Sequence, residues 1–324
     1  MTGSRARIGL GAYGVTLGVI LAGLIGGGVT SLAVMTMVTT VGGNAFTTAA
    51  KFDIVPPTIS ASVISKTTEY LTGYVNQGGN FYVYANVTDT GTNATGVASV
   101  TANVSSIKAG VTSLALAAGS YSVGGVSYNY RSASQTADNP KANGTYSYSI
   151  TAIDNAANSA NASYSVVIDS TAPTGSDIQT TNGGTAGRPD TNDTIIFTYS
   201  ERIDTQTILS GWTGGSTAVT IRFSDSGTSD LVAIWNAGNT AQLSLGSVAL
   251  NGDYVTANTA FTGTMVQSGA TITVTLGTMT SGTVRTNGTA LIMSWTPSAT
   301  ATDAAGNACS TTAKSETGTN DVDF

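Results

Sequence analysis

The sequence contains no histidine and only one cysteine, Cys309. Without histidine, Ser-His-Asp and Cys-His catalysis are excluded, as is every zinc site that needs an imidazole ligand. With one cysteine, no intrachain disulfide framework can form. We interpret Cys309 itself as a small buried apolar residue rather than as a nucleophile.

Charged side chains are also scarce, at 9% of the 324 residues, against roughly 25% in ordinary soluble domains. The 18 acidic and 12 basic residues give a formal net charge of -6. The basic residues form no cluster, which argues against nucleic acid as a partner. Threonine, serine and 39 glycines supply the polar character instead. Because threonine favours half-buried pleated surfaces, the composition predicts an all-β protein.

One long uncharged stretch lies near the N-terminus. Arg5 and Arg7 precede the segment Ile8–Val38, which carries no charged side chain, and about 20 apolar residues are enough to cross a bilayer. Basic residues on its N-terminal side place that side in the cytoplasm and the rest of the chain outside. We therefore predict that residues 1–43 form one hydrophobic helix, either a signal peptide or a membrane anchor. Export is expected in both cases, and cleavage stays open.

A first β-rich module is predicted at residues 56–169, after a linker at 44–55. Tyr146–Ala152 alternates apolar and polar residues, which is the pattern of a strand with one wet face. Tyr164–Ile168 repeats the pattern, and Phe81–Val87 is rich in aromatic and β-branched residues. About seven short antiparallel strands in a module of this length suit a Greek-key sandwich.

A second β-rich module is predicted at residues 170–324. Its strongest strand patterns are Thr194–Glu201, Val219–Phe223, Leu231–Trp235 and Ile272–Leu276. No stretch has a helical period with capping signals. The three tryptophans all fall in this half, which predicts that it has the larger core.

The same two short sequence motifs occur in both modules. Pro57-Thr58 and Pro173-Thr174 open them, and the polar turns Asp154–Asn158 and Asp303–Asn307 come near their ends. A period above 100 residues indicates tandem domains, since solenoid repeats have much shorter periods.

These motifs resemble those of bacterial Ig-like repeats. The stretch Asp169–Thr174 looks like the joint between such repeats, and the two polar turns are similar to their Asp-x-Ala-Gly-Asn turn. Phe197–Asp204 is similar to the Phe-Ser-Glu-Pro-Val-Asp pattern of Ig-like domains in S-layer and adhesin stalks, with Arg202 in place of the proline. The resemblance implies two tandem Ig-like antiparallel β-sandwiches in a cell-surface stalk, adhesin or envelope fibre.

Oxygen-bearing side chains at the turns and the joint are candidate ligands for Ca²⁺, which takes six to eight oxygens. The candidates are Asp154, Asn155, Asn158, Asp169, Asp303 and Asn307. The alternative is that these side chains cap their own turns. No other cofactor is expected.

Two further groups of residues are candidate sites. Tyr121, Tyr128 and Tyr130 could form a surface for a glycan or a protein, or could belong to a sandwich core. Glu201 and Asp204 are the only carboxylates close together in sequence beside an aromatic strand, and a glycosidase needs two carboxylates across a cleft. A structural turn is the favoured interpretation.

The sequence therefore predicts an exported, surface-tethered, non-enzymatic protein that acts as a stalk or envelope component. It would meet the membrane through residues 8–38 if that segment is retained. One alternative is a fibre subunit that self-assembles by strand addition, with the segment Gly43–Ile54 donated. Others are an adhesin that binds an envelope glycan or protein and, more distantly, a secreted hydrolase.

Overall fold

The computed structural model describes residues 52–67, 71–318 and 322–324. The predicted helix at 1–43 lies outside the described residues, as do residues 44–51 of the predicted linker and most of the segment Gly43–Ile54. No helix within the described ranges is long and apolar enough to cross a membrane. Nearly all regular structure is strand, so the all-β prediction is confirmed.

The first module contains nine strands in its described residues. They are β1 (Thr58–Ser65), β2 (Tyr74–Val75), β3 (Asn80–Thr88), β4 (Val97–Asn103), β5 (Leu114–Val123), β6 (Val126–Ser132), β7 (Gln135–Thr136), β8 (Gly144–Asp154) and β9 (Ser159–Ile168). The strands predicted from Phe81–Val87, Tyr146–Ala152 and Tyr164–Ile168 are confirmed as parts of β3, β8 and β9.

The strands of the first module follow the order β1-β3-β6-β5-β4-β8-β9-β2, with β7 beside β3. Every pairing is antiparallel except that of β2 with β9, which is parallel. The sheet curls until β1 lies beside β2 and β9. As a result the module has two ends. β1 starts and β8 stops at the first end, whereas β2 and β9 stop at the second.

In its described residues the second module contains nine strands and one helical turn. They are β10 (Gly175–Thr181), β11 (Thr194–Tyr199), α1 (Thr205–Ile208), β12 (Thr217–Ser224), β13 (Leu231–Asn236), β14 (Ser247–Ala249), β15 (Val255–Ser268), β16 (Thr271–Val284), β17 (Ser294–Thr296) and β18 (Lys314–Ser315). All four predicted strands are present, although the first ends at Tyr199 rather than at Glu201. Their order is β10-β11-β16-β15-β12-β13-β14-β17-β18, and β10 returns to lie beside β17 and β18.

Each module has its own core, and neither core draws on the other module. In the second module, the indole of Trp295 is fully buried, packs edge-on against Phe197 and Tyr199 at ring distances of 5.3 and 4.8 Å, and donates to the Leu245 carbonyl at 2.7 Å. Trp212 is also buried.

The modules meet directly at Asp169–Thr171. The backbone N–H of Gln77 donates to Ser170 Oγ at 3.0 Å, and the N–H of Ser170 donates to Asn143 Oδ1 at 3.0 Å. Asn143 Nδ2 in turn donates to Thr171 Oγ1 at 2.9 Å. On the other side, Asn307 Nδ2 of the second module donates to the Asp169 carbonyl at 3.0 Å, so the junction is hydrogen-bonded from both modules.

Candidate functional site

Three carboxylates converge at the start of each module. Asp53, Asp89 and Asp154 form the free-end cluster at the first end of module one, and Asp169, Glu201 and Asp303 form the joint cluster at the start of module two. Within each cluster one oxygen of every residue lies within 4.8 Å of one oxygen of the others. Both clusters fit Ca²⁺ in ligand type, because Ca²⁺ prefers carboxylate oxygens.

The two clusters occupy corresponding places in their modules. Asp53 and Asp169 each stand four residues before the proline that opens a module. Asp89 directly follows β3, and Glu201 comes two residues after β11, the second long strand of its module. The fold then brings in the polar turn near the end of each module, which supplies the third carboxylate.

The polar turns are built alike. Asp154 Oδ1 accepts the backbone N–H groups of Ala156 and Asn158, both at 2.8 Å. Asp303 Oδ1 accepts those of Gly306 and Asn307, at 2.6 and 2.8 Å. These bonds are Asx-type caps of the backbone, so the capping interpretation of the turns and their membership of a carboxylate cluster hold together.

An asparagine ties each turn to the first carboxylate residue of its cluster. Asn158 Nδ2 donates to Asp154 Oδ2 at 2.8 Å and to the Asp53 carbonyl at 3.2 Å. Asn307 Nδ2 donates to Asp303 Oδ2 at 2.8 Å and to the Asp169 carbonyl at 3.0 Å. These amide nitrogens position the carboxylates and carry no free lone pair for a cation.

The free-end cluster is the more deeply buried of the two. Asp53 is 8% exposed and Asp154 is 1% exposed. Asp53 accepts from the N–H of Val55 and from Thr95, and the bond from Val55 is the main cause that lowers the pKa of its carboxyl. Asp89 Oδ2 accepts the N–H of Gly96 at 2.7 Å, but Asp89 Oδ1 is buried with no hydrogen-bond partner. A buried carboxylate oxygen without a donor is costly, and a bound cation would satisfy it.

The joint cluster lines a cavity of about 230 Å³ between the modules. Leu71 and Tyr74 of the first module and Arg202 of the second also line this cavity. Burial raises the pKa of Glu201 to about 7, with further contributions from the charges of Asp303 and Asp169. Glu201 therefore titrates near neutral pH.

The predicted ligand set is only partly brought together. Asp154, Asp169 and Asp303 lie in the clusters, whereas Asn155 points its amide at the carbonyls of Thr95 and Gly96. The sequence interpretation missed Asp53, Asp89 and Glu201 as cluster members. The repeated Asp-x-x-x-Pro spacing was the signal that could have added Asp53.

The three tyrosines proposed as a surface do not share one environment. Tyr128 is 8% exposed and packs with Tyr84, while Tyr121 is half-buried in the same small cluster. Tyr130 packs against the main core of the first module. The guanidinium of Arg131 already covers the Tyr121 ring, at 4.4 Å from its centre. The binding surface stays a prediction.

The carboxylates of Glu201 and Asp204 have separate roles. Asp204 is buried and caps α1 by accepting the N–H of Gln206 at 3.1 Å, whereas Glu201 belongs to the joint cluster. Cys309 is 2% exposed, and burial raises the pKa of its thiol to about 11. It is therefore almost wholly a neutral thiol at neutral pH.

No family model, curated protein or solved structure matches this chain.

Proposed function

We propose that the protein is an exported, non-enzymatic cell-surface stalk or envelope component built from two tandem Ig-like modules. The observation that carries the proposal is the direct joint at Asp169–Thr171, where hydrogen-bonded loops replace a flexible linker. Such a joint suits a protein whose task is to hold a distal part at a fixed distance. Anchoring through residues 8–38 belongs to the same proposal.

The strand order of the first module supports the Ig-like part. Immunoglobulin domains place the strands A, B, E and D in one sheet and C, F and G in the other. The order β1-β3-β6-β5 followed by β4-β8-β9 corresponds to A-B-E-D followed by C-F-G. In this assignment β2 continues strand A (β1), and it pairs with strand G (β9) in the other sheet. The second module departs further, because α1 and the short strands β14, β17 and β18 enlarge it.

Calcium is the cofactor of this proposal. The orphaned Oδ1 of Asp89, buried beside two other carboxylates, favours a cation at the free-end cluster. Asp53, Asp89 and Asp154 would hold the ion at the free end, and Asp169, Glu201 and Asp303 would hold one at the joint. When bound, Ca²⁺ would neutralise the clustered charge and lock the loops that carry it.

The proposal is tested by the intact mass and N-terminal sequence of the protein from its native envelope. Retention of Ile8–Val38 supports a membrane-anchored stalk. A chain that begins between about Asn44 and Lys51 would instead support a released subunit, and electron microscopy for filaments would then test the fibre alternative. A chain recovered only from the cytoplasm would contradict both.

A further inference from the structure

The end of the first module that carries the free-end cluster also exposes an apolar patch. Phe52, Ile54 and Val55 are 69%, 78% and 50% exposed, and Val126 is 48% exposed. Val126 belongs to the same end because β6 begins there, beside the last residues of β3. Phe52 and Ile54 are more exposed than any other large hydrophobic residue in the described ranges. Several large apolar side chains exposed at one end of a module make that end a candidate interaction surface.

The corresponding end of the second module shows what contact between modules requires. When Asp53 is aligned with Asp169, Ile54 and Val55 of the first module correspond to Ser170 and Thr171 of the second. Both of these polar residues are hydrogen-bonded by loops of the first module. A module-to-module contact of this kind therefore uses hydroxyl groups, and isoleucine and valine could not form it.

The turn at the joint also differs from its counterpart at the free end. Gly306 is approached by the ammonium group of Lys66, and a Cβ at Gly306 would collide with it. The first module has Ala157 at the corresponding position, and a lysine ammonium group that approached its methyl group would have to lie farther from the turn. The free end is thus unsuited to receive a second module or a second copy in the way that the joint does.

The position of the patch along the chain indicates a different partner. Only residues 39–51 separate Phe52 from the uncharged segment Ile8–Val38. Even fully extended, those residues span about 45 Å. If Ile8–Val38 crosses the bilayer, the free end of the first module is held within that distance of the lipid headgroups. Phenylalanine, isoleucine and valine at such a surface can enter the boundary between headgroups and acyl chains.

We propose that the free end of the first module docks on the lipid surface through Phe52, Ile54, Val55 and Val126. The inference rests on the membrane anchor of the proposed function. Docking would place the end of the module that carries the free-end cluster against the membrane. A calcium ion in that cluster would relieve the repulsion between its carboxylates and anionic lipid.

The test uses the full chain in lipid nanodiscs of phosphatidylcholine, with and without brominated acyl chains. Ile54→Trp and Phe52→Trp place a reporter in the patch, and Leu231→Trp places one at an exposed site of the second module. The native tryptophans Trp212, Trp235 and Trp295 give the background. We expect the added emission of both patch variants to fall about twofold in brominated lipid, because side chains at the boundary lie within reach of the acyl chains. The emission of Leu231→Trp should not change.

The outcomes separate docking from anchoring. Co-elution of the chain with nanodiscs without quenching at either patch position overturns docking and leaves the anchor intact. Failure to co-elute overturns the anchor and the docking together. A blue shift of the added tryptophan emission that grows with protein concentration, without quenching, also overturns docking. It would show that a second copy of the chain covers these residues.

Discussion

The ammonium group of Lys66, in the first module, lies against Gly306 in the turn of the second module. The turn needs a left-handed backbone there, since Gly306 has φ of +92°, and its first-module counterpart Ala157 has φ of +67°. Glycine suits this conformation at position 306, whereas the Cβ of Ala157 is unfavourable at its position.

We expect Gly306→Ala to destabilise the second module by about 1 kcal/mol, because alanine disfavours positive φ and Lys66 must move. Ala157→Gly should stabilise the first module by up to about 1 kcal/mol for the converse reason. Tryptophan fluorescence during urea unfolding reports the second module, which holds all three tryptophans, and far-UV circular dichroism reports both modules. A loss of stability in Ala157→Gly would contradict the argument.

Stability should depend on pH through Glu201. The folded-state pKa of about 7 lies above the ordinary 4.5, so the folded state holds more protons between these values. Stability therefore falls as pH rises from about 4.5 to about 7, and Glu201→Gln should remove that fall. After allowance for solvent screening we expect about 1 kcal/mol. The measurement is urea unfolding across this pH range in the presence of a chelator. An unchanged pH profile in the variant would show that another group titrates.

Calcium should stabilise the first module. At a free concentration one hundred times the dissociation constant, a single site adds about 2.7 kcal/mol to the free energy of unfolding. Asp89→Asn keeps the shape but removes the charge, and should abolish most of this gain. Asp225→Asn, at an exposed turn of the second module, is the matched control and should keep it. Equal gains in wild type and Asp89→Asn, measured by calorimetry, would exclude a calcium site that depends on the Asp89 carboxylate.

Trp295 should be the most costly of the three tryptophans to remove. Its indole is fully buried and hydrogen-bonded, so Trp295→Ala should cost about 3 to 5 kcal/mol. Trp235 is only half-buried, and one face of its ring is covered by Arg222 at 3.6 Å. Trp235→Ala should cost about 1 kcal/mol. Urea unfolding followed by circular dichroism compares the two. Similar losses would show that the core does not depend on Trp295.

The strands could be predicted because their signal is local. Alternation along Tyr146–Ala152 fixes which side chains face the core, and β8 buries Tyr148, Ile150 and Ala152 as that pattern requires. The strand order could not be predicted from these patterns. The two-residue strand β2 pairs in parallel with β9, which is far away in the chain. A strand this short has no recognisable alternation of apolar and polar residues in the sequence.

The carboxylate clusters were half predictable. Asp154 and Asp303 lie in recognisable turns, so their local geometry follows from the sequence. Asp89 and Glu201 join them only because strands from different parts of the chain end at the same place. Their neighbours in sequence carry no sign of this. The orphaned oxygen of Asp89 is likewise a property of packing.

The parallel pairing of β2 with β9 gives the first module a direction of mechanical strength. The N–H of Val167 donates to the Gly73 carbonyl at 2.9 Å, and the N–H of Asp169 donates to the Val75 carbonyl at 3.0 Å. Tension along the chain would pull these two strands in opposite directions along their common axis. Their hydrogen bonds would then be loaded together in shear and would have to break at once, whereas strands pulled apart sideways lose them one by one. A tethered module with this strand pairing would resist a pulling force applied between its two ends.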